Sequence, residues 1–145
     1  MRLTGINYLS QRHGGTKIDM TENEIGTIIV DCSVKLHQTL GPGLLESVYE
    51  RLLAFELEKQ GLSTQRQMIV PIVYEGLKLD EAFRADLVVE NKVIIEVKSV
   101  EVSHPVHKKQ LLTYLKLTGM KLGYLLNFGE ALMKDGITRT INGTL

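Results

Sequence analysis

The sequence lacks the features that would place it in several large protein classes. It contains a single cysteine, Cys32, which excludes an internal disulfide framework and a cysteine-rich zinc site. No apolar run approaches the roughly 20 residues that a membrane-spanning helix requires, and no signal peptide is visible. These absences favour a cytoplasmic protein that does not insert into a membrane.

An excess of charge of one sign is also missing. Lys plus Arg and Asp plus Glu number 17 each, so the formal net charge is zero. A protein that coats nucleic acid by charge alone is therefore not indicated, although a local basic surface is compatible with this balance. The length of 145 residues and the hydrophobic fraction of 43% are typical of one globular domain with a sizeable core.

The first 20 residues differ from the rest of the chain. They include Arg2, Arg12 and Lys17 but no apolar segment of a signal peptide. We predict a flexible N-terminal extension over residues 1–20 and a single domain over residues 21–145. Met20 could be the natural start of that domain.

Apolar periodicity and capping signals predict two helices after this extension. A capping box formed by Thr21 and Glu24 begins the first helix, and Gly41 ends it. The second helix follows from about residue 44 to residue 60. The apolar residues expected on its buried side are Leu45, Val48, Leu52 and Phe55.

The rest of the chain predicts a mixed sheet. Three strands follow the helices, the first of which contains Pro71 and is therefore expected at a sheet edge or a bulge. A third helix, capped by Ser103 or His104, begins at Pro105 and leads to a short buried strand over residues 122–128. The strand–helix–strand step requires parallel pairing with a right-handed crossover. The tail that follows is only loosely specified.

The hairpin between the second and third strands brings charged residues close together. Asp86 precedes the turn, and Glu96 and Lys98 follow it on one face of the next strand, because side chains alternate along a strand. A three-residue loop at 90–92 would place Asp86 opposite Glu96 on the same face. A two-residue loop would separate the two acids, but Asn91 tolerates the left-handed conformation that three-residue loops commonly require.

An apolar setting surrounds these charges. The face of Asp86, Glu96 and Lys98 also carries Val88 and Ile94, and the other face carries Leu87, Val89, Val93, Ile95 and Val97. Buried charge is costly without compensation, which a bound divalent cation provides. Two carboxylates with water suit Mg²⁺ or Mn²⁺, and Lys98 could orient the attacking water or stabilise charge on a phosphate. The alternative is a Glu–Lys pair on an ordinary solvated strand, with Asp86 as a chance neighbour.

Several motifs occur together in this chain. An Asp followed after nine residues by Glu-x-Lys lies on the hairpin, with an acidic helix before it and another helix after it. This combination resembles the PD-(D/E)XK nuclease superfamily. Segments 40–49 (LGPGLLESVY), 83–89 (FRADLVV) and 94–98 (IIEVK) are similar more specifically to the GxxExxY proteins, a group within it. The resemblance extends over about residues 21–142. It implies an α/β restriction-endonuclease-like core of helix, three-strand antiparallel meander, crossover helix and parallel strand, preceded here by an extra helix.

The resemblance also implies roles for individual residues. Asp86 and Glu96 resemble the metal-binding acids, and Lys98 resembles the catalytic lysine. Glu46 resembles the additional acid that the first core helix of many such nucleases directs toward the metal. A first-turn acid favoured by the helix dipole is the alternative interpretation of Glu46. Ala85 stands where the superfamily name has proline, a mild departure because that proline does no chemistry.

Four further residues could support the site or contact nucleic acid. Tyr49 lies three residues after Glu46 on one helical stripe, and its hydroxyl could orient that acid, although packing is the simpler interpretation. Arg84 would lie opposite the catalytic lysine and could contact phosphate or pair with an acid. Gln110 and Tyr114 are four residues apart on the third helix and resemble a Q-x-x-x-Y element of several such nucleases. An incidental contact on an amphipathic helix explains them equally well.

Basic residues are concentrated around the third helix. They could track a phosphate backbone, and a solvated helix face explains them almost as well: Lys98, Lys108, Lys109, Lys116 and Lys121. The histidines lack convincing metal-ligand spacing, so we expect capping or packing roles for His37, His104 and His107.

These observations predict a nuclease that uses Mg²⁺ or Mn²⁺ to hydrolyse phosphodiester bonds of nucleic acid. DNA is the expected partner, although no residue pattern distinguishes DNA from RNA. The alternative is a non-catalytic nucleic-acid- or protein-binding module on the same fold, against which the intact acids and lysine count. A homodimer is also open, because Pro71 on an edge strand and the apolar first helix leave surfaces for an interface. The choice between endonuclease and exonuclease action is not indicated.

Overall fold

The computed structural model describes residues 19–145, so the predicted N-terminal extension lies outside the described residues except for Asp19 and Met20. Met20 is buried in the hydrophobic core. The ammonium group of Lys92 donates hydrogen bonds to the Met20 carbonyl oxygen at 2.6 Å and to the Asp19 carboxylate at 2.7 Å. Met20 is therefore part of the packed domain.

The elements follow the predicted order. They are α1 (Glu22–Leu40), α2 (Glu46–Lys59), β1 (Thr64–Tyr74), β2 (Leu77–Val89), β3 (Val93–Lys98), α3 (Pro105–Thr118), β4 (Leu122–Asn127) and β5 (Ile137–Ile141), with a 3-10 turn at Met133–Gly136 before β5. The expected capping box of Thr21 and Glu24 begins α1, and the His104 side chain caps α3 by accepting from the Val106 N–H. No helix among residues 19–145 is long and apolar enough to cross a bilayer.

The five strands form one mixed sheet in the order β1-β2-β3-β4-β5. The β3–β4 pair is parallel, with α3 as the crossover, and the other pairs are antiparallel. β1 is an edge strand, and its register shifts between Val70 and Ile72, so Pro71 lies at both an edge and an irregularity as predicted. β5 was not predicted, because five residues on a half-exposed edge strand carry little hydrophobic pattern.

Helices cover both faces of the sheet. α1 and α2 pack on the face formed by Leu87, Val89, Val93, Ile95 and Val97. α3 packs on the other face, which includes Val88, Ile94 and Leu125. The predicted division of these strand residues between the two faces is confirmed.

The buried side of α2 differs from the prediction. Leu45 is 73% exposed and Phe55 is 56% exposed, and Val48 is also exposed. The buried apolar residues are instead Tyr49, Leu53, Ala54 and Leu57. The expected set and the observed set both form apolar stripes along the helix. The stripe that faces the core contains Tyr49, whose ring stacks on Phe128 at a centroid distance of 4.5 Å. Tertiary packing therefore selects the face.

The β2–β3 hairpin has the three-residue loop that the sequence predicts. Val89 pairs with Val93 and Leu87 with Ile95, which leaves residues 90–92 in the loop. Asn91 has a positive φ of 53° and Glu90 one of 54°. The left-handed loop conformation therefore sets the register that places Asp86 opposite Glu96.

A substitution at Asn91 tests this loop. Asn91→Val should lower the free energy of unfolding by about 1–2 kcal/mol, because a β-branched residue is disfavoured in the left-handed region. Asn91→Gly is the matched control and should leave stability within about 0.5 kcal/mol of the wild type. Urea denaturation followed by circular dichroism measures both variants, and equal stability of the two would contradict the left-handed loop.

Candidate active site

The Asp86 and Glu96 carboxylates each accept a hydrogen bond from a backbone N–H of the opposite strand, at the point where the regular β2–β3 pairing ends. The Asp86 N–H donates to Glu96 Oε2 at 3.1 Å, and the Val97 N–H donates to Asp86 Oδ2 at 2.9 Å. Each carboxylate thus accepts from the neighbouring backbone beyond the last regular pair, Leu87 with Ile95. The hairpin brings the two acids together as the three-residue loop predicts.

The alternation of side chains breaks at the same place. Leu87 packs with α1 and α2, whereas Ala85, two residues away, packs with α3. Gln67 lies on β1 between the residues that pair with Leu87 and Ala85, and its φ is +53°. A non-glycine residue in the left-handed region costs free energy and commonly marks a functional site. The break therefore falls at Asp86, between one neighbour that packs with α1 and α2 and another that packs with α3.

A buried acid that the sequence reading missed lies beside Asp86. Glu50 of α2 is 4% exposed. Its carboxylate accepts from Gln67 Nε2 at 2.6 Å and from Arg66 Nε at 3.1 Å. The Gln67 amide also donates to Asp86 Oδ1 at 3.4 Å, so it bridges the two acids. A signal was present in the sequence, because Glu50 is four residues after Glu46 and therefore on the same side of the helix.

Burial raises the pKa of these carboxyl groups. The pKa of Glu96 rises to about 8, first because of burial and then because of the nearby Asp86 charge. Burial also raises the pKa of Asp86, although it accepts from the Val97 N–H, and that of Glu50, although it accepts from Gln67. The Lys98 charge acts in the opposite direction on the pKa of both Asp86 and Glu96, although within residues 19–145 Lys98 forms no direct ion pair with either acid.

Glu46 lies at the rim of this cluster. It is the first residue of α2, is exposed, and accepts from the Ser99 N–H at 3.4 Å. Its charge contributes to raising the pKa of Asp86, as the last of five causes. Glu46 is therefore near the acids but is not part of the buried group.

Tyr49 has a structural position and does not orient Glu46. Its hydroxyl donates to the Gly41 carbonyl oxygen and accepts from the Leu44 N–H at 3.2 Å. The Leu44 carbonyl oxygen in turn accepts from the Ser99 hydroxyl at 2.6 Å. Tyr49 therefore packs in the core and holds the loop between α1 and α2, in line with the packing role that the sequence favoured, and its hydroxyl is bonded to the backbone and not to Glu46.

Gln110 and Tyr114 lie on the side of the site that α3 forms. The charges of Glu96 and Asp86 contribute, after burial, to raising the pKa of Tyr114, and Gln110 forms a side-chain hydrogen bond with Tyr114. The Tyr114 ring stacks on Phe83 at a centroid distance of 3.8 Å. The structure therefore brings Tyr114 and Gln110 to the acids.

Arg84 is not brought to the acids. It is exposed and pairs with Ile69 of β1, and the regular pairing with β3 ends before it would reach Lys98. Within residues 19–145 it forms no ion pair with an acid. The expected position opposite Lys98 is not reached because the two strands diverge after the Asp86–Glu96 bonds.

The predicted histidine roles agree with the structure in two cases. His104 caps α3, and the His37 ring bonds to the Glu130 carbonyl oxygen at 2.8 Å. His107 lies nearer to the site: partial burial lowers its pKa first, followed by the Lys98 charge, while Glu46 acts in the opposite direction. None of the three binds the buried acids.

A buried amide fixes the segment that follows Lys98. Asn127 Oδ1 accepts from the Val100 and Gly129 N–H groups at 3.0 Å, and its Nδ2 donates to the Val100 carbonyl oxygen at 2.9 Å and to Ser103 Oγ at 3.1 Å. A Cβ at Gly129 would collide with the Val100 backbone, so this close approach requires glycine. The segment between β3 and α3 is therefore held against the end of β4.

The donor set of the cluster fits a divalent metal ion. Residues 19–145 contain no group of three His, Cys, Asp or Glu side chains that could hold a metal ion. Mg²⁺, however, is usually held by one or two carboxylates and completed by water and substrate phosphates. Asp86 and Glu96 supply such a pair, and a bound cation would offset the cost of holding their charges in a largely buried position.

Comparison with known proteins agrees with this geometry. A family model described as the PD-(D/E)XK nuclease superfamily matches residues 23–140, from the start of α1 almost to the end of β5. The chain belongs to the PD-(D/E)XK nuclease superfamily. These proteins are in general nucleases that act on nucleic acid and use divalent metals. The mixed sheet with its three helices is the restriction-endonuclease-like fold that the motifs implied.

Other comparisons add little to this PD-(D/E)XK assignment. No curated protein matches the sequence at a significant level. A solved structure titled "Crystal structure of SSO0001" is 20% identical, with a TM-score of 0.39, and the match covers 99% of this chain and 77% of that chain. That likeness is too distant to carry an argument.

The buried Glu96 predicts a pH dependence of stability. Its pKa is about 8 in the folded protein against an ordinary 4.5, so the folded state holds the proton more tightly. Its contribution to stability is therefore present below about pH 4.5 and is lost as the pH rises through about 8. In chelator, the melting temperature should fall between pH 5 and pH 8.5, and Glu96→Gln should reduce that fall. The same slope in both proteins would contradict the burial of an ionisable Glu96.

Proposed function

We propose that this protein hydrolyses phosphodiester bonds of DNA with the help of Mg²⁺ or Mn²⁺. The observation that carries the proposal is the pair of Asp86 and Glu96, joined by the Asp86 N–H and Val97 N–H hydrogen bonds, with Lys98 two residues after Glu96 on the same face of β3. Membership of the PD-(D/E)XK superfamily supports it. Within that superfamily we assign the chain to the GxxExxY group, on the motif from Gly43 through Glu46 to Tyr49.

Each residue at the site has a chemical role in this proposal. Asp86 and Glu96 would hold the cation, which supplies Lewis-acid activation of water and phosphate when bound. The Lys98 ammonium orients the attacking water and stabilises charge that develops on the phosphate oxygens. The bond from the water oxygen to phosphorus forms as the bond to the leaving sugar oxygen breaks. Tyr114 and Gln110 donate hydrogen bonds to the substrate backbone.

Contacts to DNA would come from the side of the site that α3 forms. Lys98 lies at its base, and Lys108 and Lys109 are exposed in the first turns of α3. A local basic surface of this kind compensates for the zero net charge of the chain. Glu46 remains at the rim, where it would contribute to the cation site through its charge.

A cleavage assay with a lysine variant tests the proposal. The wild type should cut DNA in Mg²⁺ or Mn²⁺, and Lys98→Ala should lower the rate by about 100-fold or more, because a cation that stabilises the transition state is lost. Lys121→Ala is the matched control. Lys121 belongs to the lysines grouped in the sequence, but it precedes β4 at the end of the strand pair opposite Lys98, so this variant should cut like the wild type. Gel assays with single- and double-stranded DNA and RNA measure the rates.

Two outcomes of this assay would contradict the proposal. One is a wild type that cuts none of the four substrates, and the other is Lys98→Ala that cuts as fast as the wild type.

A non-catalytic binding module is the competing function, and one observation favours it. The described carboxylates are not arranged as a three-ligand metal site, and Glu50 is held by Arg66 and Gln67. Calorimetry with Mn²⁺ discriminates between the two functions. We expect the wild type to bind Mn²⁺ and Asp86→Asn to bind it about tenfold more weakly or worse. Absence of Mn²⁺ binding by the wild type would favour the binding module.

A further inference from the structure

A cleft of about 390 Å³ lies between α1 and the β4–β5 pair, away from the candidate active site. Its volume is within the range of small-molecule sites in proteins. The residues that line it come from three elements: Asn23, Gly26, Thr27, Val30 and Asp31 of α1, Tyr124 of β4 and Arg139 of β5. Tyr124 packs on the face that α1 covers, whereas Leu125, which pairs with Glu96, packs against α3. The cleft and Glu96 therefore lie on opposite faces of the sheet.

The cleft contains a hydroxyl group that has no partner in the protein. Tyr124 is 4% exposed, and within residues 19–145 its hydroxyl forms no hydrogen bond. The hydroxyl of a buried tyrosine usually finds a partner. This one lies against Gly26, which also lines the cleft, so a partner can reach it from the cleft.

The helix makes room for this hydroxyl. Gly26 lies in the interior of α1, where glycine costs about 1 kcal/mol relative to alanine. A Cβ at this position would collide with the Tyr124 hydroxyl, whereas the nearest ring carbons would be 3.3 Å away, a tight contact that a small shift relieves. The hydroxyl, more than the ring, therefore requires the glycine, although the protein gives that hydroxyl no bond.

Groups of opposite charge line the cleft without pairing. Arg139 lies opposite Tyr124 on β5, and its Nη2 donates to the Asn23 amide oxygen at 2.5 Å. Arginine carries five N–H donors, so most of them remain for a ligand. Within residues 19–145 neither Arg139 nor Asp31 forms an ion pair. Asn23, Thr27 and Asp31 follow one stripe of α1, and its ends are about 12 Å apart.

We propose that this cleft binds a nucleoside monophosphate. Arg139, held by Asn23, binds the phosphate, because a guanidinium group matches phosphate oxygens in charge and geometry. The Tyr124 hydroxyl donates to the ligand from the floor of the cleft. Asp31 accepts from the ribose hydroxyls, as acids do in dinucleotide-binding folds, and Val30 supplies an apolar wall for the base. This second site does not depend on the acids of the first.

Calorimetric titration with adenosine monophosphate tests this site. A chelator in the buffer keeps the active-site acids free of metal ions. The wild type should bind the probe with a dissociation constant below about 1 mM, and at least about tenfold more tightly than adenosine or inorganic phosphate, which each supply only part of the contacts. Arg139→Gln should weaken binding by about tenfold or more. Lys134→Gln is the matched control, because it removes the same charge from an exposed position outside the cleft, and it should change the affinity by less than about threefold.

A variant of Tyr124 separates a ligand contact from a structural role. Tyr124→Phe keeps the ring and removes a hydroxyl that bonds to nothing in the protein, so the melting temperature without ligand should not fall. Binding of adenosine monophosphate should nevertheless weaken by about fivefold or more, because the hydroxyl loses its contact with the ligand. A variant that binds the probe like the wild type would overturn the proposal.

Three further results would overturn it. The first is a wild type that does not bind adenosine monophosphate at about 1 mM. The second is an equal loss of binding in Arg139→Gln and Lys134→Gln. The third is a loss in Lys98→Ala as large as that in Arg139→Gln, since this would place the nucleotide at the active site. None of these results decides the nuclease assignment, which the cleavage assay tests separately.

Discussion

The two hydrogen bonds from backbone N–H groups of β2 and β3 to the carboxylates of Glu96 and Asp86 are the interaction on which the site depends. Two carboxylates of like charge approach because each accepts an N–H from the strand of the other, at 3.1 and 2.9 Å. These bonds stand where a regular ladder would continue, so the sheet opens at this point and the acids line its end. Lys98 offsets part of their charge, but burial, followed by the Asp86 charge, still raises the pKa of Glu96 to about 8.

The helices and loops around the Asp86–Glu96 pair contribute different residues to the site. α2 contributes Glu50 from one side, and α3 contributes Tyr114 with its partner Gln110 from the other. Tyr49 binds no acid, yet it fixes the loop that leads into α2 through the Gly41 and Leu44 backbone. The loop is joined to Ser99 just after Lys98, so the two polypeptide segments that enter the site share hydrogen bonds.

Local signals in the sequence were sufficient to predict the pairing of Asp86 with Glu96, but insufficient to predict which residues of α2 border the site. The register of Asp86 and Glu96 depends on a three-residue loop at Asn91, and turn chemistry is local. The buried face of α2 depends on which apolar stripe meets Phe128, which no local pattern decides. The spacing of four from Glu46 puts Glu50 on the same side of the helix, but its burial depends on how α2 packs, so Glu50 was missed. The short edge strand Ile137–Ile141 gains its identity only by pairing with β4.

The two sides of the site differ in how firmly they are held. On the α3 side, the Asn127 amide makes four hydrogen bonds, three of them to the segment after Lys98, and Gly129 lets the backbones touch. On the β1 side, a strained Gln67 lies on an edge strand with an irregular register. The side of the site that carries Lys98 is therefore firmly held, whereas the side that carries the Gln67 amide is strained and more easily displaced. Adjustment to different ions or substrates would be confined to the β1 side around Gln67, while the position of Lys98 stays constant.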